Sequence, residues 1–165
     1  MKRKLIPVVG LAAIMGLLQP AVSPAADSVS IYDTLLTMKE HTILTVAVTE
    51  AKEVATLNGD GPYTLFAPTD AAFKKLDDAT IKKIATDKAA VRKLLRTHVM
   101  PGKLTTAELN KLGGKTHRTL HGNEWPVQVL KEGYRVGGAK LLTTDIQCSN
   151  GVIHVIDTVL PLPKE

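Results

Sequence analysis

The sequence predicts an α+β domain, helical in its first half and stranded in its second. Three observations carry this. Apolar residues recur at helical spacing from Ile31 to Leu112. Beyond Gly113-Gly114 the period changes to two, with turn pairs at Gly122-Asn123, Glu132-Gly133, Gly137-Gly138 and Asn150-Gly151. A short apolar strand, 63–66, is stopped by Pro68, and Val152–Ile156 is apolar on both faces, as a central strand is. Helices segregated from strands along the chain make an α+β layer, not an alternating parallel one.

The elements follow in order. Ser28 or Ser30 caps a helix carrying Ile31, Leu35 and Leu36. Leu44, Ala47, Val48, Ala51, Val54 and Ala55 keep one helical stripe, period outranking the low propensity of Ile43, Val46 and Val48. Asn58-Gly59-Asp60-Gly61-Pro62 breaks the chain before the strand at 63–66. A helix then starts at Thr69, whose hydroxyl accepts from an orphan N–H of the first turn, with Asp70 at the positive end of the dipole. Short helices are expected over 79–85 and, capped by Asp87, to about Thr97 with Val91, Leu94 and Leu95 inward. Thr105 or Thr106 caps a last helix through Leu112. Strands are expected at 116–120, 127–130, 134–136, 140–142 and 152–156, with 159–160 a short addition.

At 165 residues the chain holds one domain with a real core. Residues 1–26 are expected to be a cleaved signal peptide: Lys2-Arg3-Lys4, an uncharged apolar run from Leu5 to Leu18, then small residues with cleavage near Ala25 or Ala26. That run makes roughly 21 Å of helix, short of the ~30 Å of a hydrocarbon core. The mature domain, 27–165, is therefore expected to be exported, to the periplasm or the exterior, with no stable membrane anchor. Removing Lys2, Arg3 and Lys4 from the 21 basic residues leaves 18 against 16 acidic, a net charge near +2 instead of +5. Lysines interspersed with Asp77, Asp78 and Asp87 are a solvated helix surface, not a nucleic-acid footprint.

Cys148 is the only cysteine, so no internal disulfide forms. A small buried hydrophobe just before the last turn is favoured, with pairing to another chain the alternative. No Gly-x-Ser-x-Gly elbow or phosphate-cradling glycine loop occurs, and the chain is not expected to be an enzyme. His117 and His121 have ligand spacing on a helix, but along a strand they stand roughly 13 Å apart, too far for one zinc. No catalytic, cofactor or metal residues are assigned.

Taken together, Gly61 to Phe73, the middle element Leu94 to Lys103, and Asn150 to Pro161 resemble the fasciclin domain family, in order and across residues 28–163. The resemblance implies a wedge or sandwich of about seven mostly antiparallel strands with helices packed along it. It also implies secretion and adhesion to a surface, matrix or partner protein. An alternative is an extracytoplasmic carrier of an apolar small molecule such as a carotenoid, since some family members bind carotenoids. The Tyr-His pair on which the family's animal adhesion centres reads Thr97-His98 here, with the Tyr absent and the His retained, so the resemblance does not extend to animal-type integrin recognition. The expected contact surface is Thr97, His98, Pro101, Lys103 and Trp125. Thr69, Asp70, His98, His154 and Asp157 are expected to be structural polar positions. Family analogy offers Asp70 as the partner of His98, which shares the apolar helix face of Val91 and Leu95.

Overall fold

Tyr63–Pro68 forms β1 and Gly151–Ile156 forms β7, and the two lie side by side in parallel, Leu65 opposite Ile153 and Phe66 opposite His154. Both are buried along nearly their whole length, because each face of this pair is covered. The computed structural model describes residues 29–162, so the expected signal segment lies outside the described residues. Five further strands complete one sheet: β2 (Val99–Pro101), β3 (Thr116–Arg118), β4 (Glu124–Leu130), β5 (Gly133–Val136) and β6 (Ala139–Cys148). Their order is β2-β1-β7-β6-β5-β4-β3, antiparallel except for β1 with β7. The Leu120 N–H donates to the Val99 carbonyl at 2.8 Å, which brings the two edges together and nearly closes the sheet. The result is the expected α+β architecture of seven strands with packed helices.

The helices are α1 (Ile31–Thr37), α2 (Thr42–Glu50), α3 (Val54–Leu57), α4 (Asp70–Phe73), α5 (Asp78–Thr86), α6 (Lys88–Thr97) and α7 (Thr106–Lys111). Alternation along β1 and β7 sorts the core in two. Leu65, Ala67 and Ile153 face the helices, packing with Ile31, Leu35, Val48, Leu94 and Leu95. Phe66 and Ile156 face the inside of the curved sheet, with Met100, Leu109, Val127 and Val136.

Several expectations need correction. The stripe from Leu44 to Ala55 is two helices, not one, because the chain turns at Lys52 with φ +56°. That turn sends Glu53 inward, where Arg92 Nε and Arg96 Nη2 each reach its carboxylate at 3.1 Å. Leu36 is exposed, since α1 buries only Ile31 and Leu35. Val159 and Leu160 are buried but form no strand; the Leu160 N–H goes to a side chain instead of a ladder. The strand expected at 140–142 runs on to Cys148 through a bulge between Leu141 and Ile146, and the one expected at 116–120 stops at Arg118.

Candidate functional site

The polar side chains that drew notice in the sequence are mostly occupied by backbone. Thr69 is the N-cap of α4, and its hydroxyl accepts from the Ala72 N–H. Asp70 does not meet His98, contrary to expectation. Its carboxylate takes the Thr42 hydroxyl (2.6 Å) and the Thr42 and Ile43 N–H groups, capping α2 from outside. Burial pushes this carboxyl upward, but those bonds outweigh it and hold the pKa below the usual carboxylate range. Asp157 accepts from the Lys140 N–H, and its carbonyl accepts from Lys75 Nζ.

Of the three buried histidines, His98 and His154 are each locked in one tautomer by their neighbours, whereas His41, just before α2, leaves both ring nitrogens without a hydrogen bond. His98 Nδ1 lies 2.8 Å from the Leu94 carbonyl and so carries the proton, while Nε2 accepts from the Leu160 N–H. Burial draws its pKa down to about 4. His154 is the reverse: Nε2 donates to the Leu104 carbonyl at 2.6 Å, and Nδ1 accepts from the Asp145 N–H. Burial lowers its pKa also, with the Leu104 carbonyl and the Asp145 charge pulling the other way. Its ring stacks on Phe66 at 5.5 Å. Neither imidazole has a nitrogen left for a substrate.

The expected contact surface is divided by the structure. Thr97 and His98 are sealed in the interior, with the Thr97 hydroxyl spent on the Lys93 carbonyl, so neither faces a partner. Helix α6 turns its apolar stripe, and these two with it, against the sheet. Pro101 and Lys103 are exposed. Trp125 is half-buried and packs on the inner core, and its indole N–H is buried. Cys148 is buried, its thiol directed at Thr34 Oγ1, and burial raises its pKa. No group of three or more His, Cys, Asp or Glu among the described residues is arranged to hold a metal.

Two polar residues matter more than the sequence suggested. Asn150 does more than start a turn: its amide donates to the carbonyls of Leu57 and Gly59 and accepts from the Ile31 N–H, tying α1, α3 and β7 together. Asp145, held at φ +59° in the bulge of β6, accepts from the Thr106 N–H and hydroxyl. It caps α7, which Thr105 does not do with its own side chain.

The feature left open is a groove of about 400 Å³ between α2 and α5, floored by Phe73, Leu76 and Val91. Helix α2 contributes Ile43, Val46 and Ala47 to it, and α5 contributes Ile81, Ile84 and Ala85. Val46 is 62% exposed, Ile81 43% and Ile43 40%. Helix α5 leans on α6 and buries no residue fully, although its apolar residues recur at i, i+3 and i+4. Charged groups stand only at the rim: Glu50, Lys74 and Lys88. The signal for this groove was present in the sequence. Ile43 and Val46 lie outside the stripe that α2 needs for its core contact, and such surplus on a surface helix marks a contact face.

Comparison with known proteins shows what the chain resembles. The fasciclin domain family matches residues 39–163. An uncharacterized protein of Synechocystis sp. is 40% identical over 118 residues, covering 71% of this chain and 86% of that protein. The cell surface glycolipoprotein MPB83 of Mycobacterium bovis is 32% identical over 156 residues, 94% of this chain and 67% of its own length. Among solved structures, the FAS1 domain pair of the insect cell adhesion molecule fasciclin I superposes with a TM-score of 0.51 at 22% identity. That match covers 71% of this chain and 46% of the other, and the likeness is one of fold.

Proposed function

The chain belongs to the fasciclin domain family, and we propose that it is an exported, non-enzymatic member that holds a protein or matrix component at a cell surface through the α2–α5 groove. The observation that carries this is an open apolar groove in a molecule whose buried polar side chains are largely spent on backbone. Export is supported by the signal-like segment and by a relative named as a cell surface glycoprotein bearing lipid. No helix among the described residues is long and apolar enough to cross a membrane.

The test is attachment. Cells lacking the protein are expected to attach poorly, and wild-type protein is expected to restore them where Val46→Asp does not. Val46 is largely exposed, so this change should alter stability by only about 0.5 kcal/mol while placing a charge in the groove. Unaltered attachment in the deletion strain on every surface tried counts against the reading.

A second reading, an extracytoplasmic carrier of an apolar small molecule, is favoured by the size and lining of the same groove. Its volume falls within the range of about 300–1,000 Å³ typical of small-molecule sites. Uptake of a neutral probe such as dodecanol by the folded domain, abolished in Val46→Asp, is the expected result; no uptake removes this reading.

A further inference from the structure

We propose that the α2–α5 groove takes a single-chain anionic amphiphile, a free fatty acid, with its hydrocarbon along α2 and its carboxylate at Lys74. This rests on reading the groove as an apolar recognition site and adds the head group. The argument is one of charge. Of the three charged side chains at the rim, Glu50 and Lys88 approach to 3.7 Å and neutralise each other at the C-terminal end of α2. Lys74 stands at the other end, because it follows α4, whose Asp70 is bonded to the first residues of α2. Among the described residues no carboxylate forms an ion pair with Lys74, and Asp77 nearby is turned to its own helix through Thr80. The groove therefore has a neutral end, an apolar length and one uncompensated cation.

Between those ends, α2 from Ile43 to Glu50 spans roughly 10 Å of apolar floor and wall. A bilayer surface fits less well. Binding to anionic lipid in place asks for a cluster of lysines beside the apolar face. Here Lys82 and Lys83 do not line the groove, and the domain after signal removal is near neutral. A groove walled by two helices suits one chain, withdrawn from the membrane, better than a membrane plane.

Titration calorimetry on the folded domain, with octanoate, decanoate, laurate and dodecanol as probes, tests this. Affinity is expected to rise roughly three- to fourfold per added methylene while the groove fills. Lys74→Ala is expected to weaken laurate roughly two- to fivefold, to leave dodecanol unchanged, and to be rescued by Lys74→Arg. Val46→Asp, with an unchanged melting temperature, is expected to abolish both. Dodecanol binding as tightly as laurate, with no effect of Lys74→Ala, overturns the head-group assignment and leaves the apolar site standing. Failure of both probes to bind overturns the carrier reading as well. Binding to phosphatidylglycerol vesicles without uptake of laurate also overturns the proposal, in favour of a membrane contact.

Discussion

Gly151→Ala is expected to cost the domain a large part of its stability. A Cβ at this position would stand 1.8 Å from the Tyr63 carbonyl oxygen and 2.9 Å from Ile31 Cδ1. The first is backbone of the paired strand, since Tyr63 lies opposite Gly151 in the β1–β7 ladder. Relief therefore requires the two central strands to separate, and α1 to shift with them. Neighbouring Asn150 makes that movement costlier, because its amide and carbonyl hold Ile31, Leu57, Gly59 and Tyr63. A loss above ~4 kcal/mol is expected, a large part of the 5–15 kcal/mol typical of a domain (~10). Gly59→Ala is the control: its Cβ would meet nothing closer than 3.4 Å, and its effect should stay within about 1 kcal/mol. Urea unfolding monitored by circular dichroism compares the two; a Gly151→Ala protein with the urea midpoint of the wild type would contradict the β1–β7 register.

Stability is expected to fall by about 3 kcal/mol between pH 6.5 and 4 through His98 alone. The native ring is neutral, with its proton on Nδ1 toward Leu94 and its Nε2 receiving the Leu160 N–H. Protonating Nε2 would break that bond and bury a charge, so burial draws the native pKa from 6.5 to about 4. Above pH 6.5 neither folded nor unfolded chain is protonated here, and the full contribution is present. As pH falls below 6.5 the unfolded chain takes up the proton first, and the contribution is lost on the way to about 4. His154, also lowered by burial, acts in the same direction. The carboxyls of Asp70 and Asp77 are held low by their caps, so their stabilisation is lost only below the ordinary carboxylate pKa of 3.8. Urea midpoints at a series of pH values separate the two windows. His98→Gln is expected to be less stable at pH 7 and to have a flatter profile between 6.5 and 4; an unchanged slope would remove His98 as the cause.

The parts of the fold that sequence made legible are those set by a few adjacent residues. Ser30, Thr69 and Asp87 each accept backbone N–H groups of the turn that follows them. The run from Tyr63 to Phe73 becomes strand, cap and helix because Pro68 and Thr69 act locally. What was hidden depends on partners far along the chain. The turn at Lys52 places Glu53 against Arg92 and Arg96, far along the chain. Strand β2 is three residues long and has no pattern of its own; it exists because Leu65 and Thr64 lie beside Val99 and Met100. Parallel pairing of β1 with β7 joins segments nearly ninety residues apart, which no period reveals.

The candidate site divides along the same line. Thr97 and His98 were expected at the contact surface, yet α6 carries them inward, so position in a motif said nothing of exposure. The groove arises because α5 settles on α6 and not on α2, a tertiary choice. Half of its raw material, Ile43 and Val46, was visible as surplus apolar residues on α2, whose core face is Leu44, Ala47 and Val48; Ile81 and Ile84 are the apolar stripe of α5, which buries no residue fully.

The most direct test is a ¹H–¹⁵N spectrum of the folded domain titrated with laurate below its micellar concentration. If the helical groove makes the contact and the buried polar residues serve only as framework, shifts should be confined to α2, α5 and the start of α6. Val46, Ile81 and Ile84 should move most, with His98, Asn150 and His154 unmoved. Shifts centred on Pro101, Lys103 and Trp125, with α2 and α5 unchanged, would contradict it.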